Sequence, residues 1–330
     1  MKAFLCKEFG PVESHSVEEI EDPVAGPGQI VVDIKATGIS FPDVLIVQGL
    51  YQFKPPFPFS PGSEISGVVS SVGEGVTLHK EGDRVMGSIG SGGLREKGVY
   101  LEQQLMPLPD SMDFNTAAGF PLNYGTTYHA FKQRGELKEG QSVLVLGAGG
   151  GLGITAIHIA KAMGAKVIAA ASSQEKIDLC KKEGADEGII YERDMDRDLQ
   201  KKFSDEIKEL TGGGVDMIYD LVGGDYAEPA LRAIARHGKY LVIGFTAGIP
   251  KMPLNLTLLK ECQIVGVFWG QFAAVDHAEN AQNFKELFEL HAQGKIKPFV
   301  TETYNLEESA KAIKTLEDRK VLGKVVVNME

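Results

Sequence analysis

The stretch Val143-Leu144-Val145-Leu146-Gly147-Ala148-Gly149-Gly150-Gly151-Leu152-Gly153 is the strongest indication of the fold in this sequence. It begins as an apolar run typical of a buried strand, turns through glycines and leads directly into a helical pattern. It keeps the spacing of a dinucleotide-binding turn, with Ala148 at the first glycine position and Gly150 and Gly153 at the other two. The second glycine of such a turn lets the backbone approach a pyrophosphate at the positive end of a helix, and the third lets helix and strand pack closely. A glycine-rich turn without a ligand is the alternative, but glycine weakens a turn that has no need of it.

The sequence around this turn predicts a doubly wound parallel sheet. From about Pro121 to Trp269, near-continuous apolar runs alternate with helix-like segments, the pattern of strands covered by helices on both faces. The predicted strands are 142–146, 166–171, 188–191, 215–220, 239–244 and 263–267, and the predicted helices are 152–163, 174–183, 195–211 and 226–236.

The N-terminal part of the chain has a different character. Residues 1–120 are rich in glycine, proline and short alternating apolar stretches such as 30–34 and 66–72, which predicts a mostly β domain. The segment 270–330 carries predicted helices at 281–293 and around 307–316 and a strand at 323–328. It is too short to fold alone, so we expect domains of 1–120 completed by 270–330, and of 121–269.

Composition excludes several classes of protein. The chain of 330 residues is 43% hydrophobic and carries a net charge of −11 without a basic run, which argues against binding to a nucleic-acid backbone. Its cysteines, Cys6, Cys180 and Cys262, form no CxxC pair, so a disulfide framework is not expected. We find no signal-like N-terminus and no run of about 18 apolar residues. We therefore expect a cytoplasmic protein without membrane or nucleic-acid partners.

The end of the second predicted strand indicates which nicotinamide cofactor would bind. A carboxylate at this position, ~20 residues past the first glycine, binds the ribose hydroxyls of NAD, but the chain reads Ala169-Ala170-Ala171-Ser172-Ser173-Gln174-Glu175-Lys176. Ser172 and Ser173 can donate to a 2′-phosphate, Lys176 adds positive charge, and the missing acid removes a repulsion. These residues favour NADPH. A serine helix cap beside a solvated lysine stays open as the alternative.

Further motifs link the two predicted domains to a known family. They are Gly26-Pro27-Gly28, Pro61-Gly62-Ser63-Glu64, Gly82-Asp83-Arg84-Val85, Tyr124-Gly125-Thr126-Thr127, Asp220-Leu221-Val222-Gly223-Gly224 and Gly323-Lys324-Val325. With these motifs the chain resembles the zinc-independent quinone oxidoreductase branch of the medium-chain dehydrogenase/reductase superfamily over essentially its whole length. The resemblance implies an α/β protein with a GroES-like, mostly β catalytic domain and a Rossmann domain.

The resemblance also implies the residues that contact the cofactor. The cofactor contacts carried over by position are Thr126, Gly150, Gly151, Leu152, Ser172, Lys176 and Tyr191, with Tyr191 near the 2′-phosphate. Those carried over to the nicotinamide and its ribose are Val222, Ile243, Phe245, Val267, Phe268, Trp269 and Lys324.

The positions that bind zinc in zinc-dependent members of the superfamily hold other residues here. Zinc-dependent relatives place a cysteine where this chain has Ser40 and a histidine where it has Ser63, and a serine hydroxyl is a poor substitute for either zinc ligand. The lobe that carries four cysteines in those relatives has none here between Gly90 and Pro109. We therefore expect neither a catalytic nor a structural metal.

Without a metal to stabilise an alkoxide, hydride transfer suits an acceptor that spreads its own negative charge. Quinones and α,β-unsaturated carbonyl compounds are such small-molecule acceptors. Tyr51 is the candidate catalytic residue that would give the acceptor oxygen a hydrogen bond, although a tyrosine packed in the cleft wall is an equal alternative. Well-known quinone reductases have an Asn-Phe-x-Asp motif where this chain reads Ser40-Phe41-Pro42-Asp43, and they have a tyrosine where this chain has Leu45. Both differences make the expected pocket less polar.

Several alternatives remain at this stage. Phe41, Phe53, Phe57, Phe59 and Tyr124 would form either an aromatic pocket or part of the core. An enoyl-CoA reductase would need a basic entrance, for which Lys54, Arg95 and Lys97 are the clustered candidates. A non-catalytic NADPH-binding scaffold is the third possibility.

Four further features have a structural interpretation. We expect His129 and His158 to be packing residues, Asp220 to order the turn after it, and the charged run 192–198 to be a solvated loop and helix start. The apolar run 263–268 is expected at the edge of the sheet, where pairing with the same strand of a second chain would give a homodimer, as in relatives.

Overall fold

The computed structural model describes residues 1–318 and 321–329 and divides the chain into two compact units. The first comprises Met1–Leu122 with Pro298–Glu330, and the second comprises Asn123–Lys297. The strands are β1 (Lys2–Leu5), β2 (Ser16–Glu19), β3 (Gln29–Ile39), β4 (Glu64–Val72), β5 (Arg84–Ser88), β6 (Lys97–Leu101), β7 (Met106–Pro107), β8 (Ser142–Leu146), β9 (Lys166–Ala171), β10 (Glu187–Ile190), β11 (Val215–Asp220), β12 (Ile234–Val242), β13 (Gln263–Gly266), β14 (Val300–Asn305) and β15 (Lys324–Asn328).

The helices vary widely in length. They are α1 (Phe41–Val47), α2 (Phe114–Ala118), α3 (Pro121–His129), α4 (Gly151–Ala162), α5 (Gln174–Lys182), α6 (Arg197–Thr211), α7 (Ala227–Arg232), α8 (Asn255–Lys260), α9 (Trp269–Val275), α10 (His277–Ala292) and α11 (Ser309–Glu317). A π-helical turn over Ala130–Gly135 follows α3. Within the described ranges, no helix is both long and apolar enough to cross a membrane.

The first unit is mostly β, as the turn-rich N-terminal sequence predicts. Its sheet has the order β14-β15-β3-β4-β5-β7, β6 pairs with β3, and β1 and β2 form a separate antiparallel pair. The strand β15 lies antiparallel to β3, with Val325 opposite Ile39. Val325 and Val327 are fully buried beside Ile39 in one apolar cluster. The C-terminal strand thus completes the N-terminal sheet, as predicted.

The second unit is a doubly wound parallel sheet of the order β10-β9-β8-β11-β12-β13. The strands β8, β9 and β11 have the predicted bounds, because their apolar residues are buried nearly throughout. The order reverses direction between β8 and β11, so loops leaving the two strands diverge there. Open α/β sheets bind ligands at the carboxyl ends of their strands beside such a reversal.

One predicted boundary is wrong. The segment 270–297 belongs to the second unit, although the sequence placed it with the N-terminal domain. Its helices pack there through polar contacts: Trp269 Nε1 donates to Asn280 at 3.0 Å, and Glu286 Oε2 accepts from Tyr128 and Lys132, each at 2.6 Å. Periodicity predicted helix α10 but not the surface that it covers.

The edge strand β13 is shorter than predicted. It ends at Gly266 instead of continuing to residue 267 or 268, and Arg134 Nε donates to the Gly266 carbonyl oxygen at 3.0 Å. The strand does lie at one edge of the sheet. Just before it, Leu254, Leu258 and Leu259 are 70%, 76% and 71% exposed. The apolar surface in this region therefore belongs more to α8 than to the strand.

Candidate active site

The glycine turn after β8 has the geometry that a bound dinucleotide needs. A Cβ added to Gly153 would lie 2.4 Å from the Ala148 carbonyl oxygen, so the close contact of helix and strand requires glycine. A Cβ added to Gly150 would meet nothing nearer than the Gly147 oxygen at 3.8 Å. No protein atom therefore demands glycine at position 150, and the space is open to a ligand. Gly151 and Leu152 begin α4, where the amides have no partner within the helix.

The carboxyl end of β9 leads to a cavity of about 630 Å³. Its lining includes Ser172 and Tyr191, two of the predicted cofactor contacts, and also Glu192, Arg193, Asp194 and Leu199. Arg193 is a cofactor-site candidate that the sequence analysis missed, because it lies within a charged run interpreted as a solvated loop. The signal was available in its position two residues after Tyr191.

Ser173 and Lys176 are placed differently from Ser172. The Ser173 Oγ accepts a hydrogen bond from the Lys176 backbone N–H at 3.4 Å and caps α5, so the alternative of a serine cap holds for Ser173. The Lys176 stem lies over Gly149, where an added Cβ would be 2.9 Å from its Cβ and Cγ. Lys176 therefore covers the glycine turn directly.

Asp220 orders the turn after β11, as predicted. Its Oδ1 accepts the backbone N–H groups of Val222 at 2.8 Å and Gly223 at 2.9 Å. Its Oδ2 accepts the Tyr240 hydroxyl at 2.5 Å. Burial raises the pKa of Asp220, while these hydrogen bonds lower it. The carboxylate thus fixes the backbone around Val222, a predicted nicotinamide contact.

The other predicted nicotinamide contacts follow β12 and β13. Ile243 and Val267 are half-buried, whereas Phe245 is 45% and Phe268 is 59% exposed. Trp269 is more buried than these residues, at 6% exposed. Its ring lies against Gly125, where an added Cβ would be 2.6 Å from Cε2. Trp269 therefore supports the segment that presents half-buried Thr126.

The two histidines near these motifs are buried, as expected for packing residues. His129 stacks on Phe272 with ring centroids 4.1 Å apart. His158 has an acidic partner that sequence spacing did not show: its Nε2 lies 2.9 Å from Glu183 Oε2, and its Nδ1 lies 3.2 Å from the Tyr124 hydroxyl. Burial lowers the pKa of both imidazoles.

In the first unit, a buried polar cluster brings together Ser40, Asp43 and Ser63. Asp43, fully buried in α1, accepts the Ser40 backbone N–H at 2.8 Å, the Gly62 backbone N–H at 3.0 Å and the Ser63 hydroxyl at 3.3 Å. Burial raises the pKa of Asp43 to about 6, although these donors and the Lys324 charge oppose the rise. The carboxyl group holds the start of α1 against the loop before β4.

Lys324, also a predicted nicotinamide contact, is held by buried polar partners in the first unit. Its ammonium is 5% exposed, forms an ion pair with the fully buried carboxylate of Glu64, and donates to Ser40 Oγ at 2.6 Å. The other Glu64 oxygen accepts the Leu122 backbone N–H at 2.7 Å. A buried carboxylate needs such a counter-charge, and that need explains why Lys324 is drawn into this cluster.

Tyr51 lies beside this cluster. It is half-buried against the apolar core of the first unit, and burial, with a smaller contribution from the charge of Asp43, raises its pKa. The aromatic residues of the predicted pocket differ in burial. Phe59 is buried in the core of the first unit and Tyr124 in the second, whereas Phe53 is 51% and Phe57 is 43% exposed.

The residues of the cluster do not fit a zinc ion. Ser40 and Ser63 offer hydroxyls, and the Lys324 ammonium already lies 2.6 Å from Ser40, where it would repel a second cation. Over residues 1–318 and 321–329, no three His, Cys, Asp or Glu side chains are grouped to hold a metal.

Comparisons with known proteins identify the class to which this site belongs. Residues 26–110 match the family "Alcohol dehydrogenase GroES-like domain", and residues 151–291 match "Zinc-binding dehydrogenase". The chain is 37% identical to the quinone oxidoreductase-like protein 2 homolog of Nematostella vectensis, covering 99% of this chain and 88% of that protein. The Escherichia coli quinone oxidoreductase complexed with NADPH has a TM-score of 0.91 at 29% identity, covering 99% of this chain and 100% of that one. The Pseudomonas syringae quinone oxidoreductase has a TM-score of 0.90 at 32% identity, covering 99% of both chains.

The chain is therefore an oxidoreductase of the medium-chain dehydrogenase/reductase superfamily, with the GroES-like and Rossmann domains that the sequence predicted. Within that superfamily it belongs to the quinone oxidoreductase branch.

Proposed function

We propose that this protein uses NADPH to reduce quinones or α,β-unsaturated carbonyl compounds, without zinc. The observation that carries the proposal is the buried ammonium of Lys324 beside Ser40 and Glu64. Ser40 stands where the resemblance places a zinc ligand, and the Lys324 ammonium beside it disfavours a metal ion there, which supports an acceptor that spreads part of its own negative charge. Relatives support the class, since two from Rattus norvegicus and Mus musculus are named quinone oxidoreductase and others are named quinone oxidoreductase-like.

The cofactor side of the proposal rests on the second unit. Gly150 leaves room for a pyrophosphate, and the first-turn amides of α4 can donate to it. Ser172, Tyr191 and Arg193 line one cavity that would take the 2′-phosphate, while Lys176 lies over the glycine turn. For the nicotinamide and its ribose we propose Val222, Ile243, Phe245, Val267, Phe268, Trp269 and Lys324, and we propose Thr126 as a further cofactor contact. When bound, NADPH supplies a hydride, and the residues of this chain hold the cofactor and the acceptor.

Two glycine variants test this assignment. Gly150→Ala should keep the fold, because the added Cβ meets no atom within 3.4 Å, at a cost of about 1 kcal/mol for alanine at a helix N-cap. It should weaken NADPH binding at least about tenfold. Gly153→Ala is the matched comparison: its Cβ would clash with the Ala148 oxygen at 2.4 Å, so it should lower the melting temperature of the protein. Unchanged NADPH affinity in Gly150→Ala would contradict the site.

On the acceptor side we propose Tyr51 as a hydrogen-bond donor to the acceptor oxygen. Burial and the nearby Asp43 charge raise the pKa of Tyr51, so its phenol keeps its proton at neutral pH. Three observations argue against an enoyl-CoA entrance: Lys97 pairs with Asp22 at 2.6 Å, Arg95 donates to the Gly92 carbonyl at 2.7 Å, and Lys54 lies over the Phe9 ring. Each of these cations already has a partner within the chain.

NADPH oxidation against a panel of quinones, enones and enoyl-CoA esters tests the activity itself. Turnover with quinones or enones is expected. Turnover confined to CoA esters would favour an enoyl-CoA reductase, and no turnover with any acceptor would favour a non-catalytic scaffold.

We also propose a homodimer. The strand β13 lies at one edge of the parallel sheet, where no other strand of residues 1–318 and 321–329 pairs with its outer side. The exposed side chains of Leu254, Leu258 and Leu259 extend the apolar surface beside it. Unpaired edges with adjacent apolar surface are commonly covered by a second chain.

A further inference from the structure

The hydrogen bonds of Ser40 are unequal. Its Oγ accepts from the Lys324 ammonium at 2.6 Å, but its own proton faces Glu64 Oε2 at 3.4 Å, longer than a normal O–H···O hydrogen bond. The hydroxyl therefore accepts a short hydrogen bond but donates only a long, weak one. Ser40 keeps a small exposed surface of 5%, whereas the Glu64 carboxylate has none.

Ser40 is held firmly in this position. It is the residue before α1, and its backbone N–H donates to Asp43 Oδ2 at 2.8 Å. Glu64 fixes the ammonium that polarises it, and the Leu122 backbone N–H fixes Glu64. The serine is thus held in place before any substrate arrives, and only its hydroxyl has to turn away from Glu64; such preorganisation is the condition under which a hydrogen bond contributes most to catalysis.

A hydroxyl that accepts a hydrogen bond from a cation becomes a stronger donor, and burial strengthens the effect. The same ammonium would stabilise negative charge developing on an oxygen next to Ser40. Among the described residues, Ser40 is therefore the hydroxyl through which the charge of Lys324 can act on a bound acceptor.

We propose that Ser40 is the residue that protonates the acceptor oxygen and that Lys324 is the positioning residue that polarises it; this inference rests on the proposed reduction of quinones or enones. When an enone takes up hydride at its β-carbon, the C=C electron pair forms the new bond of an enolate and the carbonyl π pair moves to oxygen. That oxygen takes the Ser40 proton as Ser40 takes one from Lys324. Solvent returns a proton to Lys324, so one proton is consumed per hydride. The enol formed then becomes the saturated ketone as its α-carbon takes a proton from water and its oxygen gives one back.

The experiment compares two serines of equal burial. Ser60 is also 5% exposed, but it donates to the Leu94 carbonyl at 2.9 Å and makes no contact with Lys324. We expect Ser40→Ala to lower kcat with 1,4-naphthoquinone or cyclohexenone at least about tenfold, with the NADPH dissociation constant unchanged. Ser40→Thr, which keeps the hydroxyl, should recover most of the rate. Ser60→Ala should stay within about twofold.

Lys324 needs a paired variant, because its removal alone leaves the Glu64 carboxylate buried without a counter-charge. The neutral pair Lys324→Met with Glu64→Gln should lose as much kcat as Ser40→Ala, and adding Ser40→Ala to it should cost little more, because the groups act as one unit. Melting temperatures and NADPH affinities of all variants identify any loss due to misfolding.

Equal kcat for Ser40→Ala and Ser60→Ala would overturn the inference, as would failure of Ser40→Thr to recover activity. If the wild-type protein fails to oxidise NADPH with every quinone and enone tested, the proposed function is refuted instead. In that case, calorimetric measurement of 1,4-naphthoquinone binding to the cofactor-free protein still tests whether Ser40 contacts the acceptor oxygen. If the quinone binds Ser40→Ala more weakly than Ser60→Ala, the result supports a contact between Ser40 and the acceptor oxygen. Equal binding to the two variants contradicts that contact.

Discussion

Replacement of Arg193 by alanine tests the NADPH preference directly. Arg193 shares its cavity with Ser172 and Tyr191, and a hydrogen bond between charged groups contributes roughly 1.5–3 kcal/mol. The arginine is exposed, and Glu192 and Asp194 line the same cavity, so we take the lower end of that range. A loss of about 1.5 kcal/mol corresponds to about tenfold weaker NADPH binding. NADH, which lacks the 2′-phosphate, should bind as before.

Isothermal titration of both cofactors measures this effect. Arg197→Ala is the matched control, since Arg197 is an exposed arginine at the start of α6 that does not line the cavity. Glu192→Gln should act in the opposite direction and tighten NADPH binding about two- to threefold by removing a repulsion. Equal losses for NADPH and NADH in Arg193→Ala, or an equal loss in Arg197→Ala, would refute the placement of the phosphate in this cavity.

Three further predictions concern metal, pH and assembly. Dialysis against a strong chelator should leave activity and melting temperature unchanged, and elemental analysis should find well under one zinc per chain; stoichiometric zinc would contradict the proposal. Because the pKa of Asp43 is raised to about 6, its contribution to stability is complete below about pH 4 and is lost as the pH rises through 6. The unfolding free energy of the wild type should therefore fall by up to ~3 kcal/mol over this range because of Asp43, and Asp43→Asn should lack this fall. Denaturation at several pH values measures the difference. Light scattering should find a dimer for the wild type and a monomer for the double variant Leu258→Asp and Leu259→Asp, and a wild-type monomer at micromolar concentration would refute the dimer.

Local sequence patterns predicted the parallel sheet well, because its strands are buried on both faces. The bounds of β8, β9 and β11 follow from apolar runs that end at polar or glycine residues. The turn after β8 was equally readable, since Gly153 is required by a contact with a residue only five positions away.

Features that depend on distant residues were not readable in this way. The ion pair of Glu64 with Lys324 joins residues 260 positions apart, and either side chain alone has the appearance of an ordinary surface charge. The same holds for Arg193, whose neighbours Glu192 and Asp194 suggested a solvated loop, and for α10, whose amphipathic pattern fits more than one surface. In each case tertiary contacts, not local periodicity, decide the environment.

The division of the chain into units has a consequence for folding during synthesis. The second unit is continuous over Asn123–Lys297, whereas the first needs Pro298–Glu330 to join residues made much earlier. The ribosome must therefore produce the entire second unit before β15 can pair with β3. Until then the nascent β3 presents an open edge, and Glu64 has no ammonium to accompany it into the interior. Such long sequence separation slows folding, so we expect the parallel sheet to form first and the mostly β unit to depend longest on chaperones that bind exposed strands.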